Sequence, residues 1–269
     1  MKVLALACCC VDVYPQTGKI MPGGNALNLA VNCKLNGADV FVMGNIGTDN
    51  YGGIIKQAAD KYKINRDYLY EVSGISANNI IHIDASGDRY FKEGAWTGGV
   101  WDKYKISERD KAFARTMDAV RTEVGEADFI NIISLKKDGH GPLMSSDFYD
   151  NKITPEYEKY FPFLDLFFIS GKEQDSPEFR KTLKDWSQKY KTIFTATLGE
   201  SGSVSYKNGE EFICPAVKVA KVVDTTGCGD SYQAGFIMDY LKNKNILSAM
   251  QTGSQYASKT LAFMGGFEF

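Results

Sequence analysis

Three short segments carry residues suited to holding or transferring a phosphoryl group. The first is Asp224-Thr225-Thr226-Gly227-Cys228-Gly229-Asp230, running directly into Ser231-Tyr232-Gln233-Ala234-Gly235-Phe236. Two glycines separated by one small residue precede a helical pattern. Glycine lets the backbone turn sharply and present successive N–H groups, and a helix start adds unbonded N–H groups and its positive dipole end. Gly227, Cys228 and Gly229 therefore form an anion hole suited to a phosphate, or to charge developing in phosphoryl transfer. Asp230 stands at the entrance of that helix. There it reads either as an ordinary N-cap or, beside such a hole, as the base that takes the proton of an attacking hydroxyl.

The second segment, Pro22-Gly23-Gly24-Asn25-Ala26-Leu27-Asn28, closes the first β-unit and opens the first helix. Paired glycines let a ligand approach the backbone. Asn28, one turn into the helix, offers a donor and an acceptor to sugar hydroxyls, and Asp12 upstream offers a carboxylate. Turn glycines, a capping Asn25 and a solvated aspartate explain the same residues. The third segment, Thr197-Leu198-Gly199-Glu200-Ser201-Gly202-Ser203, follows a strand and suits a nucleotide's ribose and phosphates, although plain β-turns look alike. No Walker G-x-x-x-x-G-K-[ST], G-x-G-x-x-G after the first strand, G-x-S-x-G or H-E-x-x-H is present, which argues against P-loop enzymes, dinucleotide oxidoreductases, elbow hydrolases and common zinc proteases.

The elements that must position these segments alternate. Apolar runs predict strands at 2–10, 39–46, 78–84, 88–92, 128–133, 165–169, 192–198, 203–206 and 211–214. Helical spacing predicts helices at 25–36, 51–62, 107–123, 155–161, 177–190, 230–243 and 246–263. This alternation implies an α/β fold, a mainly parallel central sheet with helices on both faces. One stretch breaks the rhythm: 78–101, with a Ser-Gly-Asp turn at 86–88, reads as a β-hairpin. With a short strand at 10–14 it forms either a small β-sheet lid over a site at the strand ends or an ordinary antiparallel edge.

Composition sets the outer bounds. The chain has 269 residues, 44% hydrophobic and 24% charged, with 31 Lys plus Arg against 33 Asp plus Glu. That fits one large α/β domain or a core with a modest appendage, and the element pattern narrows it to a single unit over 1–269 with lid segments near 10–20 and 78–101. A net charge of −2 argues against a broad nucleic-acid or anionic-membrane surface. Nothing approaches the ~18 apolar residues of a membrane span, and the apolar start at 3–8 reads as a buried strand rather than a secretion signal. Cys8, Cys9 and Cys10 alternate faces, no C-x-x-C occurs and His82 lies far from His140. The six cysteines therefore read as buried thiols in a reducing cytoplasm.

The two glycine segments, with Gly44-Asn45-Ile46-Gly47-Thr48-Asp49 and Thr197-Leu198-Gly199, resemble the signatures of the ribokinase-like (PfkB) carbohydrate kinases along essentially the whole chain. Within that family, 10–16, Gly23-Gly24-Asn25-Ala26 and Asp147-Phe148-Tyr149-Asp150 look most like the subgroup that phosphorylates fructosamines such as fructoselysine. The resemblance implies an ATP-dependent kinase in which Asp230 is the catalytic base and Gly227, Cys228 and Gly229 supply the anion hole. It implies that Asp12, Gly24 and Asn28 hold the sugar, with Arg89 reaching from the lid. Thr197, Gly199, Gly202, Thr226 and Ala257 would flank ATP. Cys228 stands where the family usually has alanine. The family's magnesium motif appears as Ser170-Gly171-Lys172-Glu173, with Ser170 in place of Asn, so Glu173 is the residue left for Mg²⁺. The resemblance further allows a monovalent cation near Asp224 and implies a cytoplasmic homodimer joined through the lid. Other acceptors (fructose, a phosphorylated ketose, ribose, a nucleoside) and a catalytically silent sugar sensor stay open.

Overall fold

A computed structural model describes residues 1–125, 128–136 and 140–269. Its strands are β1 (Lys2–Ala5), β2 (Cys10–Tyr14), β3 (Lys19–Gly23), β4 (Asp39–Gly47), β5 (Asn65–Val72), β6 (Asn78–Ile80), β7 (His82–Ile83) and β8 (Arg89–Tyr90). Then follow β9 (Trp96–Thr97), β10 (Ala119–Glu123), β11 (Leu143–Asp147), β12 (Leu166–Ser170), β13 (Ile193–Thr197), β14 (Ser203–Lys207) and β15 (Glu210–Cys214). The helices are α1 (Asn25–Leu35), α2 (Asn50–Lys61), α3 (Glu108–Ala114), α4 (Phe129–Ile133), α5 (Pro177–Lys189), α6 (Cys228–Asn243) and α7 (Ile246–Thr260).

The main sheet runs β15-β14-β13-β12-β11-β10-β1-β4-β5. All pairs from β13 to β5 are parallel, and β14 and β15 close one edge antiparallel. From β1 the chain steps outward to β4 and β5, then returns to place β10 on the other side of β1. That reversal opens a crevice beyond the carboxyl ends of β1 and β10, where sheets of this kind bind ligands. The second sheet, β3-β2-β6-β9, and the hairpin β7-β8 are built from segments at 10–23 and 78–97.

The core follows from strand periodicity. Val3, Ala5, Ala7 and Cys9 enter the apolar cluster on one face of the sheet, whereas Leu4, Leu6, Cys8 and Cys10 enter the cluster on the other. Side chains alternating between two dry faces are what a continuous apolar run in a parallel sheet produces.

Several sequence expectations are corrected. The run 2–10 is not one strand: β1 ends at Ala5 and β2 begins at Cys10, because the chain leaves the main sheet for the second one. The expected helix at 107–123 stops at Ala114, after a Ser107–Asp110 capping box starts it, and 119–123 is strand β10. The expected strand at 128–133 is helix α4, which buries Phe129, Ile132 and Ile133 and exposes Ile130. Six residues are too few for periodicity to decide between helix and strand. Residues 155–161 form tight 3₁₀ turns. Strand 78–84 is split because 78–80 pair with β2 while 82–83 pair with β8. Strands β3, β5 and β11 were not anticipated. Their sequences carry Pro22, the charges of 65–72 and the buried Ser145 and Ser146, none of which reads as a strand core.

Candidate active site

Helices α1 and α6 both begin at the crevice, and both begin on glycine. Gly24 has φ +85° and Gly227 φ +75°, a region that L side chains adopt only at a cost, and neither helix start carries a side-chain cap. Helices α2, α3, α5 and α7, in contrast, are capped by Asp49, Ser107, Ser176 and Asn245. No side chain caps either start (nor that of α4); the Ala26 N–H donates to the Cys8 carbonyl at 3.1 Å and the Cys228 N–H to the Thr225 carbonyl at 3.3 Å, and the positive dipole ends of α1 and α6 face the crevice.

Asp230, in the first turn of α6, is buried. Asn28 Nδ2 donates to its Oδ2 at 3.0 Å and Arg121 Nη2 to its Oδ1 at 3.2 Å. Burial is the main cause that lifts its pKa to about 7; Arg121 and Asn28 oppose the rise, while Asp147 and Glu123 add to it. A carboxylate poised near neutrality suits general-base work. Asn28 keeps its Oδ1 buried without a hydrogen-bond partner, an acceptor available to a ligand hydroxyl.

Asp12 is buried on β2, in the second sheet. Its position depends on Gly23, since a Cβ there would fall 2.1 Å from Asp12 Oδ2. Burial raises its pKa to about 7 as well, with Arg89 pulling it down and Asp224 and Asp230 pushing it up. Asn79 pairs in register with Asp12 and also holds a buried Oδ1 without a partner. Arg89 is exposed on β8, its guanidinium 5.6 Å over the Phe91 ring, and it acts electrostatically on both Asp12 and Cys228.

Asp224 is fully buried. Its carboxylate accepts from Tyr14 Oη at 2.9 Å, the Thr226 N–H at 2.8 Å and the Gly265 N–H at 2.8 Å. It thus ties the loop before α6 to the second sheet. A second tie runs through Asp88, which accepts from Thr225 Oγ1 at 2.9 Å and pairs with Lys172 Nζ at 3.2 Å. Lys172 packs close to Gly199, so this tie ends beside the turn read as a nucleotide loop.

The residues expected to flank a nucleotide lie on β13, on the turn into β14, on α7 and on the loop before α6. Thr197 ends β13, and Gly199 and Gly202 bound the turn into β14. A Cβ at Gly202 would lie 2.1 Å from the Cys214 carbonyl and 2.7 Å from the Ala216 N–H. Those residues line a cleft of ≈ 420 Å³ with Ile213, Val217, Leu247 and Gln255. Ala257 accepts from Cys228 Sγ at 3.8 Å, and Thr226 is buried beside Tyr14 Oη at 3.4 Å. Glu173 stands exposed on the loop after β12, outside the Asp230 cluster.

Sequence reasoning missed the floor of the site. Arg121 and Glu123 sit two apart on β10 and so share one face, and Glu123 is in register with Asp147 at the end of β11. Arg121 Nη1 donates to Glu123 at 3.0 Å, Nη2 to Asp147 at 2.8 Å and Nε to Gln233 Oε1 at 3.0 Å. Gln233, one turn into α6, also donates to Asp147 at 2.8 Å. Glu123 accepts from Asn25 Nδ2 at 2.5 Å and from the Cys8 N–H at 3.3 Å. The run Ala119-Val120-Arg121-Thr122-Glu123 shows no period-2 alternation that would have revealed them, and all five of its residues are buried.

A parallel sheet with its crevice at the reversal, two uncapped helix starts and a carboxylate between them define a phosphotransferase of the carbohydrate kinase class. The chain belongs to the pfkB family carbohydrate kinases, whose model matches residues 9–266. It is 31% identical to a fructoselysine 6-kinase of Shigella flexneri over 271 residues, covering 99% of this chain and 100% of that protein. It is 27% identical to a fructosamine kinase of Bacillus subtilis (strain 168), covering 100% and 94%. The fold is shared with an adenosine kinase from Sinorhizobium meliloti, with a TM-score of 0.84 at 18% identity, covering 100% of this chain and 96% of that one. An Arabidopsis thaliana ribokinase superposes with a TM-score of 0.83 at 20% identity, covering 98% and 93%.

Proposed function

We propose that this kinase transfers the γ-phosphoryl group of ATP to the primary hydroxyl of a fructosamine such as fructoselysine. The observation that carries the reading is the buried Asp230 carboxylate at the uncapped start of α6, gripped on its two oxygens by Asn28 and Arg121. Asp230 removes the hydroxyl proton as the sugar oxygen forms its bond to the γ-phosphorus and the bond from that phosphorus to ADP breaks. The proton ends on Asp230. The N–H groups of Gly227, Cys228 and Gly229 face the charge that builds on the phosphoryl oxygens.

Asp12, Gly24 and Asn28 hold the sugar, with Arg89 at the rim and the second sheet acting as a lid over a single kinase unit. Asp12, Glu123, Asp147 and Asp230 outnumber Arg121 and Arg89 around the crevice. That excess of acid suits an acceptor carrying a cationic amine, as do the relatives named for fructoselysine and fructosamine. Thr197, Gly199, Gly202, Thr226 and Ala257 flank ATP, whose base fits the apolar cleft between β15 and α7. Glu173, exposed beside Lys172, fits Mg²⁺ held mainly through water, an ion that needs few protein ligands and would offset phosphate charge when bound. No helix among the described residues is long and apolar enough to cross a membrane, and a cytoplasmic homodimer joined through the second sheet completes the reading.

ADP release measured against fructoselysine, fructose, ribose and adenosine tests it. Fructoselysine should give the highest kcat/KM; the poorest rate with fructoselysine would overturn the substrate. Asp230→Asn should lose about 10²–10⁴-fold in kcat while still binding ATP, and near-normal turnover would remove Asp230 from the mechanism.

A further inference from the structure

Arg121 is fully buried, yet it belongs to no apolar packing scheme. Its planar fork serves four acceptors on three elements: Glu123 on its own strand β10, Asp147 on β11, and Asp230 and Gln233 on α6. A lysine in its place could not span them, because an ammonium is a point donor. We propose that Arg121 is a positioning residue for the general base: its guanidinium holds Asp230 Oδ1, turns Oδ2 toward Asn28 and the acceptor hydroxyl, and supplies the positive charge that lets three carboxylates share one dry corner. This rests on the reading of Asp230 as the base.

The geometry supports the assignment in two ways. Arg121 Nη2 bridges Asp147 at 2.8 Å and Asp230 at 3.2 Å, so the first turn of α6 is pinned to the end of β11 through a single nitrogen. Asn28 grips the other oxygen at 3.0 Å, which leaves the carboxylate plane fixed from both sides. The groups acting on Asp230 are Arg121 and Glu123 from β10, Asp147 from β11, Asn28 from α1, Asp12 from β2 and Cys228 from its own helix. Among those acting on it most strongly, Arg121 is the one that brings a positive charge; Tyr149 acts in turn on Arg121. Without the cation, Asp230 would face Glu123 and Asp147 uncompensated and keep its proton to higher pH.

The test is the pH profile of kcat/KM for the whole chain with its best acceptor. Arg121→Met should move the acid limb upward by about 1–3 pH units, the effect of losing an opposite charge at this range. It should lower kcat by about 10-fold or more even on the alkaline plateau, because the carboxylate is no longer aimed, while KM for ATP stays near the parent's. Arg121→Lys should restore much of the limb but not kcat. Glu123→Gln should shift the limb the opposite way. Should Arg121→Met fail to fold, the double variant Arg121→Met/Glu123→Gln removes one charge of each sign, and its limb should lie above that of Glu123→Gln alone. A limb unmoved in Arg121→Met, or equal in the double and the Glu123→Gln variants, would reduce Arg121 to a structural bolt. Asp230→Asn in the same assay separates the two ideas: if it stays active the base assignment fails, and if it is inactive while the limbs do not move only the role of Arg121 fails.

Discussion

Asp230 carries a cost that its chemistry requires. Both Asp230 and Asp12 take up a proton at about pH 7 when folded, against an ordinary value of 3.8, chiefly because they are buried. Between those values the folded chain holds more protons than the unfolded one, so their contribution favours folding at acid pH and is lost as pH rises through 7. Asp230→Asn should therefore melt higher than the parent at about pH 8, by at most ~4 kcal/mol, and the gap should close toward about pH 4. Arg121 tolerates the change because Glu123 and Asp147 still neutralise it. Thermal melts of parent and variant at the two pH values check this. An unchanged or lower melting point at the higher pH would mean that the Arg121–Asp230 pair repays the desolvation in full. In the sequence, Asp230, the glycines before it and Asn28 were legible because each stands at a junction where an apolar run meets a glycine, and Asp12 because it is the one charge interrupting the apolar run around Val11 and Val13. Arg121, Glu123 and Asp147 were not, because a charged pair within 119–123 reads as a solvated helix face until the strand pairing puts it inward.

Among the elements, α6 is the one on which the site depends, and α7 holds it in place. The two helices cross closely at paired glycines. A Cβ at Gly235 would lie 2.7 Å from the Thr252 carbonyl, and one at Gly253 would lie 2.8 Å from the Tyr232 carbonyl. Both obstacles are backbone, so neither can turn aside. Gly253→Ala should cost about 1–3 kcal/mol of stability, the range for overpacking, and should shift the denaturation midpoint with little change in slope. An urea titration followed by circular dichroism reads both quantities, and an unchanged midpoint would mean that the helices can slide apart freely. Sequence periodicity found both helices because their apolar faces run over 15 and 16 residues. It confused 107–133 because a seven-residue helix, a five-residue strand and a five-residue helix follow one another there. Each is shorter than the window over which period 2 and period 3.6 diverge.

At the scale of the whole molecule, the second sheet has two faces with different obligations. Strand register puts Asp12, Met21 and Asn79 on one face, toward the crevice, and Ile20, Val13 and Ile80 on the other. Ile20 is 41% exposed and Ile80 37%, so the outer face presents apolar side chains from three adjacent strands to water. An apolar stripe on a sheet face is a surface suited to a second copy of itself. If that face pairs in a homodimer, replacing Ile20 and Ile80 together by Glu should convert the dimer to a monomer in sedimentation velocity while leaving the far-ultraviolet spectrum unchanged. The same substitution should raise KM for the sugar more than it lowers kcat. Asp12 lies one residue from Val13 on β2, so loosening the outer face loosens the sugar grip, whereas Asp230 is held from β10, α1 and α6. A parent chain that sediments as a monomer at assay concentration would refute the dimer. A monomeric variant with an unchanged KM would show that the crevice is shaped without help from a partner.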